Sequence, residues 1–174
     1  SDNVGSTVKI LANGNYVVQS NQWDNGTVTD AGAATFGRGN TGVTGVISSS
    51  NSLVGTNVSD QVGQRLTELA NGNYVVHSSL WDNGTVTNAG AATWGSGDTG
   101  VSGVVSNTNS LVGTNVNDTV GIDVKTLANG NFVVASQNWN SFRGAFTWGD
   151  GKTGITGDVS ATNSLVGSTA NDSQ

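Results

Sequence analysis

The chain has no proline, no cysteine and no methionine among its 174 residues. Without cysteine there is no disulfide framework and no thiolate metal centre. Lysine and arginine total six against twelve aspartate and glutamate, a net charge of −6. The six cations form no cluster, so the basic stripe of a nucleic-acid groove is missing. An anionic membrane surface would repel such a chain, and no apolar run nears the roughly 20 residues of a membrane-spanning helix. Acid–base chemistry is equally short of material. Histidine occurs once, at His77, and glutamate once, at Glu68. Charged residues make up only 10%, which also excludes a charge-rich disordered tail.

What the chain does have is glycine, 26 residues of it, with much Asn, Ser and Thr. It also has a period. "LANGNYVV" at Leu11 recurs at Leu69 and, as "LANGNFVV", at Leu127. The step is 58 residues both times (69 − 11 and 127 − 69). Trp23, Trp81 and Trp139 keep that step, and Asn51, Asn109 and Asn163 each open an "NSLVG". Asp2, Asp60, Asp118 and Asp172 mark the seams. These spacings divide the chain into repeats at 1–59, 60–117 and 118–174, the last including a short tail. Repeat 3 is shorter between Trp139 and Gly144, where the others read "WDNGTVTDAG" and "WDNGTVTNAG". A deletion confined there predicts a surface loop.

Each repeat reads as four short antiparallel strands. In repeat 1 they are Val8–Leu11, Tyr16–Ser20, Ala31–Phe36 and Gly42–Ile47. Asn13-Gly14 is a strong two-residue hairpin signal. A two-residue loop pairs Leu11 with Tyr16, Ile10 with Val17 and Lys9 with Val18. Leu11 and Tyr16 then lie on one face and Ile10 and Val17 on the other, so each small sheet is apolar on both faces and is expected to pack against neighbours front and back. The small residues of "AGAA" suit a strand in a crowded place. The expected fold is all-β, built from propeller-like blades. A three-fold closed, prism-like body is the alternative, and a solenoid comes after it.

Asp60-Gln61-Val62-Gly63 and Ala89-Gly90-Ala91-Ala92-Thr93-Trp94, with their counterparts in the other repeats, carry a resemblance. The whole pattern resembles tandem repeats of large secreted bacterial proteins of the adhesin or haemagglutinin-like kind. It is also similar, distantly, to the FG-GAP blades of integrin α-subunit propellers. The resemblance implies an extracellular or cell-surface setting. It does not bring calcium, because the hairpin loop here is Asn13-Gly14-Asn15, without the acidic oxygens a hard cation needs. No cofactor and no metal are expected.

Two functional readings follow. In the first, the chain is a non-enzymatic structural or adhesive module that associates with copies of itself through its end repeats, as a ring or a filament. Residues 2–5 of one copy then follow residues 163–170 of another as Asp60 follows Asn51 to Val58. Asp60, Asp118, Asn51, Asn109 and Asn163 serve here by capping backbone amides. In the second, Trp23-Asp24-Asn25 and Trp81-Asp82-Asn83 offer an aromatic plate beside hydrogen-bonding groups, suited to cell-surface glycans. Their structural role would instead be to staple one unit to the next and turn the chain. No nucleophile–base pair or pair of carboxylates recurs, so no enzyme is expected.

Overall fold

The hairpin loop is one residue longer than Asn-Gly alone implies. In the computed structural model, which describes residues 2–171, Gly14 has φ +84° and Asn13 is not in the left-handed region. Leu11 donates its N–H to Asn15 O at 2.8 Å, and Gly14 donates to Leu11 O at 2.9 Å. This is the three-residue loop with a glycine bulge, not a primed two-residue turn. The register therefore shifts by one from the sequence expectation: Ile10 faces Tyr16, Lys9 faces Val17 and Val8 faces Val18. The same register recurs in the other two hairpins.

Three repeats give three sheets, and none is closed. Repeat 1 contributes β1 (Thr7–Ile10), β2 (Tyr16–Ser20), β3 (Ala33–Gly37) and β4 (Ser52–Val54). Repeat 2 supplies β5 (Arg65–Glu68), β6 (Tyr74–Ser78), β7 (Ala91–Gly95), β8 (Gly103–Val104) and β9 (Leu111–Val112). Repeat 3 supplies β10 (Asp123–Thr126), β11 (Phe132–Ser136), β12 (Ala145–Gly149), β13 (Gly157–Asp158) and β14 (Ser164–Val166). The fourth antiparallel strand is the "NSLVG" segment, not the "GVTGVI" segment expected from sequence.

That second segment has a different job. In repeat 2 it is β8, which leaves its own sheet and adds in parallel to β4 of repeat 1. In repeat 3 it is β13, which adds in parallel to β9 of repeat 2. Repeats 2 and 3 thus each lend a short arm to the sheet before them. The arm of repeat 1, Gly45–Val46, belongs to no sheet.

Strand alternation gives each sheet two faces. Tyr16, Val18, Ala33 and Val54 lie on the front of sheet 1; Val17, Ala34, Phe36 and Leu53 lie on its back. The back of repeat 1 shares one core with the front of repeat 2, where Tyr74, Val76, Ala91 and Val112 are buried. The back of repeat 2 (Val75, Ala92, Leu111) shares a second core with Phe132, Val134 and Ala145 of repeat 3. Sheet 2 is therefore covered on both faces by its neighbours. Burying a Leu53 or Leu111 side chain is worth about 1.5–3 kcal/mol. The shortened loop of repeat 3 is a tight turn at Trp139–Phe142, left-handed at Asn140, Ser141 and Phe142 (φ 48°, 63° and 60°). Ser141 to Arg143 are exposed, as the deletion implied.

Candidate functional site

The polar residues singled out by the period converge on the joints between repeats. Asp60 is fully buried at the first seam. Its Oδ2 accepts the N–H groups of Thr56 and Asn57 at 2.9 and 2.8 Å, and its Oδ1 accepts that of Asp82 at 2.9 Å. Burial pushes its carboxyl above the ordinary range, and these three donors pull the other way. Asp118 repeats the arrangement, accepting from Thr114, Asn115 and, across the turn, Asn140. Asp2 holds Asp24 N at 2.9 Å. Asp172 lies outside the described residues. One carboxylate thus ties the end of one repeat to the Trp loop of the next.

The asparagines of "NSLVG" fix the lent arms. Asn109 Nδ2 donates to Val104 O at 2.9 Å, while its Oδ1 accepts from Ser106 N and Ser110 Oγ. Ser110 Oγ lies 2.7 Å from Thr93 Oγ1 in the sheet interior. Asn51 and Asn163 make the same set. These bonds lie within a repeat. They hold the arm at the distance from its own sheet that pairing with the previous sheet requires.

Sequence reasoning missed a second polar contact. Asn13 and Asn15 both donate Nδ2 to Gly97 O of repeat 2, at 2.7 and 2.8 Å. Asn71 and Asn73 donate to Gly151 O of repeat 3, both at 2.7 Å. The signal was present: Asn flanks Gly on both sides in all three hairpins, where a turn alone needs one. Glu68, the lone glutamate, also crosses a joint. It accepts Ala12 N at 2.6 Å and pairs with Lys9 at 3.3 Å.

The Trp-Asp-Asn loops are placed differently from a sugar platform. Trp23, Trp81 and Trp139 are buried. Trp81 and Trp139 belong to the inter-repeat cores, and Trp23 to a small cluster on the front of repeat 1. Asp24 accepts Asp30 N and Asp82 accepts Asn88 N, at 2.9 and 2.7 Å. Asn25 and Asn83 donate to Gly55 O and Gly113 O. Each of these four polar side chains is spent on the chain's own backbone.

His77 is buried beside Thr67, with Nε2 2.9 Å from Thr67 Oγ1. Its Nδ1 has no hydrogen-bond partner among the described residues. Burial first, then the Arg65 guanidinium, push its pKa down to about 4, against weaker opposing pulls from Gly121 and Asp123. Gln19 and the small Ala135 stand at the matching positions, both buried and neutral. The linkage has a definite sign. The unfolded chain takes up the proton near pH 6.5, the folded chain only near pH 4. Stability contributed by neutral His77 is therefore present above about pH 6.5 and is lost as pH falls toward 4. The slope is at most about 1.4 kcal/mol per pH unit. Urea midpoints across this range should fall for the native chain. The slope should be shallower for His77→Gln, with the difference isolating His77 from the carboxylates.

Among the described residues no group of three metal-ligating side chains converges. An apolar cavity of about 350 Å³ lies on the back of repeat 3, lined by Arg143, Phe146, Leu165 and Val166. A smaller one of about 160 Å³, lined by Val18, Val43 and Ile47, lies on the front of repeat 1. These are the two sheet faces that no repeat of this chain covers. A family model described as a repeat of unknown function (DUF5650) matches the chain three times, over residues 10–64, 68–122 and 126–174. No curated protein matches it.

Proposed function

The chain belongs to this repeat family, and we propose that it is a non-enzymatic structural module of an extracellular bacterial protein. Its repeats act as propeller-like blades that stack into one stiff, protease-resistant body. The observation that carries this reading is the duplicated joint. Repeat 1 meets repeat 2 as repeat 2 meets repeat 3, with seam carboxylate, lent arm and paired asparagines at matching positions. The recurring polar groups with chemical potential are consumed by that joint. Adhesion would come from repeated surfaces rather than from a pocket.

Digestion with a broad-specificity protease tests the stacked body. We expect a single resistant core, with cleavage confined to the termini. Early cuts at residues 56–60 and 114–118 that release separate repeats would show that the joints are not rigid.

A glycan-binding module using Trp23, Asp24, Asn25, Trp81, Asp82 and Asn83 is the second reading, favoured only by the aromatic beside amide and carboxylate groups. The buried indoles weigh against it, because a sugar needs an open ring face. On a glycan array we expect no ligand that is lost on Trp81→Ala. That variant should instead lose about 3–5 kcal/mol of stability, as expected for truncating a buried tryptophan. A glycan bound by the native chain and lost in a still-folded Trp81→Ala would reverse the order of the two readings.

A further inference from the structure

The internal joint has two complementary halves, and one of each is left unused at the ends of this chain. The back half, on the earlier repeat, offers a strand edge, an aromatic ring and two asparagines. In joint 1 these are Leu53–Val54, Phe36, and Asn13 with Asn15. The front half, on the later repeat, offers an arm and two glycines. In joint 1 the arm Gly103–Val104 pairs with Leu53–Val54, and Val105 N donates to Val54 O at 3.1 Å. Gly100 lies so close to the Phe36 ring that an added Cβ would be 2.5 Å from its Cγ, and Gly97 O receives both asparagines. Joint 2 repeats each element: Gly157–Asp158 on Leu111–Val112, Gly154 on Trp94, Gly151 O under Asn71 and Asn73.

The back half of repeat 3 is uncovered among the described residues, and the outer edge of β14 pairs with no strand there. Leu165 is 77% exposed where Leu53 and Leu111 are fully buried, and Trp148 and Phe146 are 52% and 53% exposed. Asn129 and Asn131 stand where Asn13 and Asn15 stand. The front half of repeat 1 is likewise uncovered among the described residues. Its arm Gly45–Val46 pairs with no strand there, and Gly42 and Gly39 hold the positions of Gly100 and Gly97.

We propose that these halves bind each other in separate copies, so that a second copy of this chain docks head to tail. Gly45–Val46 of one copy adds in parallel to Leu165–Val166 of the other. Gly42 seats on Trp148, and Asn129 and Asn131 reach Gly39 O. The proposal rests on the structural reading above and specifies its contact surface. The interface is heterologous, so it closes into a ring if the rotation per copy permits and otherwise grows as a filament.

Mass by sedimentation across a concentration series tests it. The chain should run above its 17.5 kDa monomer mass, increasingly so with concentration. Leu165→Glu blocks the back half, and Val43→Glu the front half, because its counterpart Val101 packs against the core of joint 1; each should return the mass to 17.5 kDa through at least about a hundredfold weaker association. Because Leu165 is exposed, its substitution leaves the monomer folded, and Trp148→Glu provides a second back-half block. Mixed in equal amounts, Leu165→Glu and Val43→Glu should form a one-to-one pair, since one copy keeps its front and the other its back. A native chain that stays monomeric at every concentration overturns the proposal. So does an assembly that Leu165→Glu leaves intact, or blocked variants that fail to pair. A monomeric Leu165→Glu that still resists protease separates failure of docking from failure of the stacked body.

Discussion

Asp60→Ala is expected to cost about 3–5 kcal/mol, a large fraction of the roughly 5–15 kcal/mol that holds an ordinary domain together. The carboxylate is fully buried and accepts three backbone N–H groups: two from the turn closing repeat 1 and one from the Trp loop of repeat 2. Alanine removes both acceptor oxygens and all three bonds at once, and each donor left without a partner costs about 1–3 kcal/mol. The carboxylate itself is tightly packed: a Cβ added at Gly55 would lie 2.9 Å from Asp60 Oδ2. Asp60→Asn keeps one oxygen and should lose less, about 1–2 kcal/mol. Asp2→Ala is the control. Asp2 is exposed and holds a single N–H, that of Asp24, so its loss should stay within about 1 kcal/mol. Urea denaturation ranks the three variants. Equal losses at Asp2 and Asp60 would mean that the seam carboxylate does not join two repeats.

The seam was readable because its spacing is long and regular. Aspartate at the same step as tryptophan and as "NSLVG" marks a joint whatever the strands do. The hairpin register was less readable. Asn-Gly suits both a two-residue primed turn and the last two places of a three-residue loop with a glycine bulge. A strand with one wet face would have settled the choice, since a slip by one residue exposes every apolar side chain. Here Tyr16 and Val18 point one way and Val17 the other, so a slip leaves apolar groups on both faces in either register. The lent arm was hidden for a different reason. "GVTGVI" and "NSLVG" are both short apolar runs bounded by turn residues. Only the partner in the preceding repeat, Leu53–Val54 for β8, distinguishes an arm from a strand of its own sheet. Trp81 shares a core with Val105, the residue that follows that arm, and Trp23 clusters with Ile47, the matching residue of repeat 1.

Gly90→Ala tests the tightest point of the second joint, and the expected loss exceeds about 4 kcal/mol. The sequence suggested a crowded strand at "AGAA", and crowding here means backbone against backbone. Gly90 forms a parallel bridge with Val120, the residue just past the next seam. A Cβ at Gly90 would meet the Val120 amide and lie 2.5 Å from its carbonyl oxygen. Neither atom belongs to a flexible side chain that could move aside. The φ of +76° adds strain of its own, about 1–2 kcal/mol for an L residue. Gly84→Ala separates the two effects, because Gly84 has φ +63° and nothing within 4 Å of its added Cβ. It should lose only the conformational part. Because Val120 N donates to Ala89 O and Thr119 N to Asn88 O, pushing Val120 away also breaks the bonds that hold repeat 2 to the start of repeat 3. Thermal denaturation of Gly90→Ala should therefore lose cooperativity, with repeat 3 melting ahead of the rest. If Gly90→Ala melts as one unit, at the temperature of Gly84→Ala, then the backbones do not crowd there, and the Gly90–Val120 contact does not hold repeat 3 to repeat 2.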